Sequence, residues 1–299
     1  MSRYLDPKAD VVFKKIFGEH PDLLKSFLNA VLPLPEDGLI DTLEYLSSEQ
    51  VPVIPAFKYT IVDVKCKDCK GRVFIVEMQI QWTLSFMQRM LFNASKAYVR
   101  QLDAGEDYEL LKPVYGLGLI ASEFDADPDH WYHHYKIVNV EKPQTEIKDL
   151  QLVFIELPKF KAKSFEEKKL QVLWLRFMSE LGSKTREVPS EWLNVPEIKK
   201  AVSLAEEAAY TPGELAAYDQ YWDAVSCEKT LIAGSYKSGV AVGLEQGLEQ
   251  GLEQGLEQGM QQKSIEIARK MLKKGMPVGI IIEITGLPSK LVEKLEASE

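Results

Sequence analysis

"TIVDVKCKDCKGRVFIVEMQIQ", residues 60–81, is the stretch of sequence from which we predict the fold. Each arm alternates Val, Ile or Phe with polar residues, and a short segment containing glycine separates the arms, which is the pattern of a β-hairpin. We expect residues 69–71 to form a three-residue loop with Gly71 in the left-handed conformation. Asp68 then pairs with Arg72, and this pair sets the register of both strands.

In this register two acidic side chains oppose each other. Counting outward from the loop, Asp63 lies opposite Glu77, and Gln79 shares their face because side chains alternate along a strand. The other face is expected to be core: Val62, Val64, Phe74, Val76, Met78 and Ile80. Like charges on directly opposed residues, roughly 5 Å apart at Cβ, destabilise a sheet, and a divalent cation bound by the carboxylates would offset that repulsion. Asp63 and Glu77 are therefore candidate ligands of Mg²⁺, and the alternative is a pair of surface acids, which are common on strands.

The composition is that of a globular protein, with 45% apolar and 27% charged residues in a chain of 299. The net charge of −9 argues against a protein that coats nucleic acid by charge alone. Residues 1–120 carry 14 basic and 16 acidic side chains, so most of the negative charge lies after them. A surface that binds nucleic acid is therefore expected to be local and to lie in this first part.

The sequence shows no signal for a membrane or for secretion. No apolar run approaches the roughly 20 residues of a membrane span, and the start MSRYLDPKAD lacks the apolar region of a secretory signal. Three cysteines, an odd number, do not make a disulfide framework. We therefore expect a cytoplasmic protein.

The order of predicted elements indicates a mixed α/β core. Apolar residues at helical spacing predict two linked helices within residues 6–32. The next predicted elements are a strand in DTLEYL (residues 41–46), the hairpin, a helix over residues 84–105 that ends at Gly105, a buried strand in residues 113–124, and strands in residues 131–140 and 150–157. From Ser164 onward the pattern is helical, so we expect the core to end near residue 160.

Four identical tetrapeptides, GLEQ, occupy residues 243–258, and the near-copy GMQQ follows them. On a helix with 3.6 residues per turn, a four-residue period rotates the Leu stripe by about 40° per repeat. Gly also costs about 1 kcal/mol per helical position relative to Ala. We expect a solvated spacer or a partly helical arm, and self-association of an extended helix is the alternative.

The last segment, residues 263–299, has the pattern of three short helices, with stops and starts at Gly275, Pro277, Gly286 and Pro288. A helix-turn-helix that reads DNA is one interpretation. Its last helix offers Lys290 and Lys294 but no Arg, Asn or Gln for base edges, which favours a role in packing or oligomerisation.

Two further motifs resemble metal sites. CKDC, residues 66–69, has the spacing of half a zinc site, but the one remaining cysteine, Cys227, cannot supply the second half, so we interpret the pair as cysteines of the hairpin turn. HWYHHY, residues 130–135, places three histidines close together without the i, i+4 spacing of a helical metal pair, and is typical of a strand surface.

Three segments together resemble a known family. They are DVVFKKIFG (residues 10–18), IVDVKCKDCKGRVFIVEMQ (residues 61–79) and RMLFNASKAYVRQLDAGEDYELLKPVYGLGLI (residues 89–120). In this order they look like the PD-(D/E)XK nuclease family transposases, also called recombination-promoting nucleases. The likeness is close over about the first 120 residues and looser over the helical remainder, including EITGLPSKLVEKL.

The resemblance implies a restriction-endonuclease-like core, a mixed sheet flanked by helices, that cleaves DNA with Mg²⁺. Asp63 matches the acid of the second core strand and Glu77 the acid of the third, and both would act in catalysis as metal ligands. Gln79 stands where the wider superfamily has Lys, and it would orient the attacking water through hydrogen bonds. Asp10 matches the leading acid of the family and would join the metal shell through water.

Two basic positions are carried over in the same way. Lys14 and Arg89 match recurrent basic residues of the family and are candidates for contact with DNA phosphates. For Arg89 a structural anchoring role is equally open.

We therefore expect a Mg²⁺-dependent deoxyribonuclease whose partner is DNA, possessing four parts: a nuclease-like core over residues 1–160, a helical region over residues 161–242, the GLEQ spacer or arm over residues 243–262, and a small helical segment over residues 263–299. The helices after residue 160 are expected to support a homodimer, which suits the cutting of two strands. The alternative from another class is a catalytically weak DNA-binding or assembly protein that retains the fold.

Overall fold

The computed structural model describes residues 3–50, 60–161 and 169–297. The chain divides into two compact units, residues 1–227 and 228–299.

The helices are α1 (Asp10–Phe13), which continues as a π-helical turn over Lys14–Gly18, α2 (Pro21–Val31), α3 (Leu84–Val99), α4 (Lys169–Glu180), α5 (Ser190–Leu193), α6 (Pro196–Leu204), α7 (Pro212–Lys273), α8 (Val278–Thr285) and α9 (Ser289–Glu296). The finer boundaries expected at residues 160, 242 and 262 remain predictions.

The described strands form a mixed sheet that confirms the predicted α/β class. The strands are β1 (Leu43–Tyr45), β2 (Glu49–Gln50), β3 (Thr60–Ile61), β4 (Val64–Asp68), β5 (Val73–Gln79), β6 (Val114–Ile120), β7 (Tyr132–Val138) and β8 (Glu146–Glu156). Six of them form one sheet in the order β1-β4-β5-β6-β8-β7, and β2 pairs with β3. The central strands β5, β6 and β8 are parallel, and their outer neighbours are antiparallel.

The hairpin has the predicted register. Strands β4 and β5 are antiparallel from Val64 opposite Val76 to Lys67 opposite Val73, and the Asp68 amide donates to the Arg72 carbonyl at 3.0 Å. Gly71 has a φ of 80°, the left-handed conformation that the three-residue loop requires. Continued by one residue beyond the last pair, this register sets Asp63 opposite Glu77.

The expectation that only one face of the hairpin is core is wrong, because helices cover both faces of the sheet. Phe74 and Val76 pack in the larger cluster with α1, α2, α4 and α6. Val73 and Ile75 pack on the opposite face, beneath α3. Val62, predicted to share a face with Val64, belongs to this second cluster, because a bend at Asp63, directly after Val62, separates β3 from β4.

Helix α3 follows β5 and packs close to β6, because β6 presents glycine toward the helix. A Cβ on Gly116 would lie 2.9 Å from the Met90 sulfur, and a Cβ on Gly118 would lie 2.9 Å from Cε1 of Phe86. All seven residues of β6 are buried, as the apolar run predicted. The sequence GLGL, residues 116–119, therefore lets the crossover helix approach the sheet.

Two predicted boundaries differ from the structure. Helix α3 ends at Val99, so Gly105, although its φ is 93°, lies beyond the helix end and does not cap it. Strand β8 begins at Glu146, four residues before the predicted segment, because its first residues pair with the end of β7. The start of the helix predicted after Ser164 lies outside the described residues, which resume at residue 169.

In the second unit the GLEQ repeats are helical and belong to α7. The side chains of Leu244, Leu248, Leu252 and Leu256 are exposed. After α7, positive φ angles at Gly275 and Gly286 separate α7, α8 and α9, as the predicted stops require. Ala268, Ile281 and Val292 form the centre of the small core that these helices share.

Within the described ranges, no helix is long and apolar enough to cross a membrane.

Replacing Gly118 with Ala should destabilise the first unit by about 1–3 kcal/mol, because the new methyl group overpacks the α3–β6 contact. Its Cβ would lie 2.8 Å from Cδ1 of Phe154 and 2.9 Å from Cε1 of Phe86, and both rings are fully buried. Urea unfolding followed by tryptophan fluorescence measures the change.

Two matched glycine substitutions serve as controls. Gly116→Ala should cost less, because the atoms it meets are the flexible ends of Leu152 and Met90. Gly213→Ala, in the first turn of α7, should change stability by less than about 0.5 kcal/mol, because apart from its chain neighbours and the helix's own backbone no atom lies within 4 Å of the added Cβ. Equal losses at Gly118 and Gly213 would contradict the close-approach explanation.

Candidate active site

Glu77 is a buried carboxylate whose negative charge is compensated by side chains of α3. Its side chain is only 6% exposed. Nδ2 of Asn93 donates to Oε1 of Glu77 at 2.8 Å, and a terminal guanidinium nitrogen of Arg89 lies 3.3 Å from Oε2. Arg89 and Asn93 are four residues apart on one face of α3, so the two donors act together. Burial of this charge is tolerated because each oxygen has a donor.

Gln79 is held at both ends of its amide. Its Oε1 accepts a 2.7 Å hydrogen bond from the same Arg89 nitrogen, and its Nε2 donates to the carbonyl of Gln81 at 2.8 Å. An amide has two donor hydrogens and an oxygen with two lone pairs. Gln79 therefore has a fixed orientation and retains one donor hydrogen and one lone pair for a further ligand.

Asp63 lies at the bend before β4, and its Oδ2 accepts a 2.7 Å hydrogen bond from the amide of Met78. Burial raises the pKa of the Asp63 carboxyl to about 6. The Met78 hydrogen bond and the charge of Lys14 lower this pKa, whereas the charges of Glu77 and Asp10 raise it. The interactions of Asp63 with the described residues include no ion pair, so its repulsion from the neighbouring acids is only partly offset.

Asp10 and Lys14 form an ion pair on the first helical segment. The Lys14 ammonium lies 2.8 Å from Oδ1 of Asp10 and donates to Oδ2 at 3.0 Å, with both side chains nearly half exposed. Both residues act on the pKa of Asp63, so they lie within electrostatic reach of it.

The structure thus joins the predicted residues in one network. Asp10 and Lys14 influence Asp63, Glu77 influences Asp63, and Arg89 bridges Glu77 to Gln79. The carboxylate oxygens of Asp10, Asp63 and Glu77 do not all lie within 4.8 Å of one another. Among the described residues, three potential metal ligands come this close together only at another place in the fold. The assignment of metal and catalytic roles to these residues remains a prediction.

Sequence reasoning did not identify Asn93 as part of the site. Its side chain is fully buried, its Nδ2 is bound to Glu77, and its Oδ1 has no hydrogen-bond partner among the described atoms. The available signal was its spacing of four residues from Arg89 on an amphipathic helix.

The histidines of residues 130–135 differ from the predicted strand surface. His133 is buried, and its Nε2 lies 2.7 Å from Oε1 of Glu156. His134 Nε2 lies 2.9 Å from Oε1 of Gln151. The alternation of β7 places these neighbours on opposite faces, so only His133 enters the interior.

The CKDC cysteines agree with the hairpin interpretation. Cys66 is buried on β4 and Cys69 is exposed in the turn, and both are free thiols. Burial raises the pKa of the Cys66 thiol to about 12, which keeps it protonated and unsuited to metal binding.

Comparison with known proteins gives two family matches. The model of the family described as PD-(D/E)XK nuclease family transposase matches residues 7–234, well over half of the chain. A model described as Rpn/YhgA-like nuclease family, C-terminal HTH domain, matches residues 261–288, which favours the helix-turn-helix interpretation of that segment. Comparison with curated proteins and with solved structures gives no match.

In metal-free protein, Asp63→Asn should stabilise the fold at neutral pH. The pKa of Asp63 is 3.8 for the free side chain and about 6 in the folded chain, so the folded state binds more protons between these values and wild-type stability falls as pH rises through them. Above about pH 6 the buried Asp63 carboxyl is ionised, and its full free-energy cost lowers the stability of the wild type. The Asn variant, which lacks this charge, should then be more stable by on the order of 1 kcal/mol or more.

Urea unfolding in EDTA at about pH 4 and about pH 8 measures this difference, which should shrink at the lower pH. The matched control is Asp41→Asn, a substitution at an exposed carboxyl. A stability gain that is the same at both pH values would contradict the raised pKa of Asp63.

Proposed function

The chain belongs to the PD-(D/E)XK nuclease family transposase family, and on this premise we propose that it is a Mg²⁺-dependent DNA endonuclease that hydrolyses phosphodiester bonds. The observation that carries the proposal is the Asp63 carboxyl, which has no ion-pair partner among the described residues and whose pKa is raised by burial and by the charges of Glu77 and Asp10. A site of this kind gains free energy when a cation binds.

The residues present fit Mg²⁺. Asp63 and Glu77 offer hard carboxylate oxygens, which this ion prefers, and Asp10 offers a third carboxylate for contact through water. When bound, Mg²⁺ polarises the phosphodiester and lowers the pKa of an attacking water.

Arg89 is a positioning residue in this proposal. It donates to both Glu77 and Gln79, and its guanidinium carbon lies 5.0 Å from the centre of the Phe86 ring. These three contacts favour the anchoring role over direct contact with phosphate. Through Arg89 the amide of Gln79 is turned so that its remaining donor and acceptor can orient water.

Lys14 is the better candidate for a phosphate contact. Its side chain is nearly half exposed, and its present partner, Asp10, is a nearly half-exposed carboxylate that a phosphate oxygen can replace. We also propose that residues 261–288, matched by the HTH description, contribute DNA binding outside the nuclease-like core.

We propose that the chain acts in the cytoplasm and promotes recombination or DNA mobility. The exposed thiols of Cys69 and Cys227 are free, which suits a reducing compartment. The name of the matched family associates this nuclease type with transposition.

The alternative is a catalytically weak DNA-binding or assembly protein. Its support is that Gln79 cannot supply the positive charge that a Lys would supply at this position, so a greater share of catalysis must come from the metal. The nicking experiment below separates the two proposals.

Asp63→Asn should nearly abolish Mg²⁺-dependent nicking of a supercoiled plasmid, because a neutral amide is a poor ligand for a hard cation. Mg²⁺ should raise the melting temperature of the wild type and should not raise that of the variant. Loss of nicking together with intact melting in EDTA assigns the effect to the site rather than to the fold.

The matched control is Glu44→Gln, a substitution at an exposed acid of β1 that pairs with Lys67. It should nick plasmid within about twofold of wild type. A destabilised Asp63→Asn variant that still cuts DNA would refute the catalytic assignment, and wild type that binds DNA without nicking it would support the alternative function.

We further propose a homodimer, because cutting both strands of a duplex suits two active sites and because α7 exposes a row of Leu side chains along the GLEQ repeats. Sedimentation equilibrium of the full chain should give twice the mass of 33.9 kDa. Replacing Leu248 and Leu252 by Gln should reduce association if this row is the interface, and a monomeric wild type would refute the dimer.

A further inference from the structure

A second cluster of metal-ligating side chains lies at the loop between β6 and β7 and shares no residue with the acids of the hairpin. Ligand atoms of Asp125, His130 and His133 all lie within 4.8 Å of one another. The rings of His130 and His133 are 4.2 Å apart between centroids. Asp125 and His130 belong to the loop, and His133 is the second residue of β7.

A fully buried carboxylate fixes the orientation of His133. Oε1 of Glu156 lies 2.7 Å from Nε2 of His133 and accepts from the ammonium of Lys159 at 2.9 Å, and the Glu156 side chain is 0% exposed. Because Lys159 balances the charge of Glu156, a neutral His133 satisfies this arrangement by donating Nε2–H. Its Nδ1 then carries a lone pair, and it makes no hydrogen bond with the described residues.

This arrangement matches the way proteins prepare a histidine for a metal ion. A ligating histidine almost always donates its other N–H to a carboxylate or a carbonyl, which fixes the tautomer and makes the ligating nitrogen more basic. The side chain of His133 is only 3% exposed, so the protein rather than solvent sets the orientation of its ring.

The loop that carries Asp125 and His130 is hydrogen-bonded to the buried side chains of Glu156 and Lys159. Oε2 of Glu156 accepts from the amide of Phe124 at 2.7 Å, and the Lys159 ammonium donates to the Asp125 carbonyl at 2.6 Å. Oδ1 of Asp125 accepts from the Asp127 amide at 2.7 Å, which orients the carboxylate and leaves Oδ2 available. The positions of the ligands are therefore set largely in advance.

We propose that Asp125, His130 and His133 bind one divalent transition-metal ion of the zinc class, with Glu156 as the residue that positions His133. Two imidazoles and one carboxylate suit Zn²⁺, whereas Mg²⁺ prefers oxygen ligands alone. Three protein ligands leave a fourth position for water or for an anionic group. The site is distinct in residues and in metal class from the Mg²⁺ site proposed at Asp63 and Glu77.

The test is a zinc titration of the full-length, metal-stripped protein under reducing conditions, in competition with a chromophoric chelator. Wild type should bind one tight equivalent of Zn²⁺. His130→Ala and Asp125→Asn, both at positions outside the core, should each weaken this binding by at least about tenfold. Cobalt(II) bound to wild type should show the visible bands of a tetrahedral site, and these should be lost in both variants.

Three variants control for other ligands. His134→Ala, next to the cluster but bound to Gln151, and Cys69→Ser, at an exposed thiol, should bind Zn²⁺ as wild type does. Asp63→Asn should also keep full zinc binding, so the outcome is independent of the nuclease proposal. The zinc site is overturned if wild type binds no tight Zn²⁺, if His130→Ala binds it unchanged, or if Cys69→Ser rather than His130→Ala loses it.

Discussion

The carboxylate of Asp68 fixes the turn of the β4–β5 hairpin, and the candidate site depends on that turn. Oδ1 of Asp68 accepts from the amides of Lys70 and Arg72 at 3.0 and 2.8 Å, and Oδ2 accepts from Nε of Arg72 at 2.8 Å. The Asp68 side chain is 0% exposed, so this ion pair is held away from water. A slip of one residue would turn Glu77 from α3 to the opposite face. The identity of the site is thus decided by a few hydrogen bonds at the far end of the hairpin.

Once the register is set, the second constraint is the burial of the Glu77 charge. The carboxylate is stable there because Arg89 and Asn93 reach it from α3. They reach it because Gly116 and Gly118 remove the side chains that would keep the helix from the sheet. Sheet register, the close approach of α3 to the sheet and charge compensation are therefore three aspects of one arrangement, which explains how the candidate site is built within the β5–α3–β6 unit.

The hairpin could be predicted from the sequence because its turn and register depend on neighbouring residues. The burial of Glu77 and of His133 could not, because it depends on contacts between residues far apart in sequence. Gly71 in a three-residue loop is enough to predict that Asp63 lies opposite Glu77, because turn type and register are linked within a few residues. The burial of Glu77 was not predictable in that way, since alternation along β5 does not reveal that α3 covers its polar face.

Contacts between residues far apart in sequence also explain why the burial of His133 was not predicted. His133 resembled a surface residue because its partner, Glu156, is 23 positions away in sequence and meets it only through the pairing of β7 with β8. The hairpin register made Asp63 and Glu77 candidate metal ligands, whereas their catalytic roles and the roles of Asp10 and Gln79 came from resemblance to a family. All of these roles remain proposals.

The parallel pairing of β5, β6 and β8 has a consequence for how related chains can diverge. Gln79, Ile120 and Glu156 are directly aligned across the three strands, so all three strands finish at one edge of the sheet. The connections that leave β5 and β6 begin at this edge, and the strands beneath them are held by the core. Insertions in these connections can alter what the edge recognises while the buried framework stays unchanged. Selection can therefore act on specificity at this edge separately from stability.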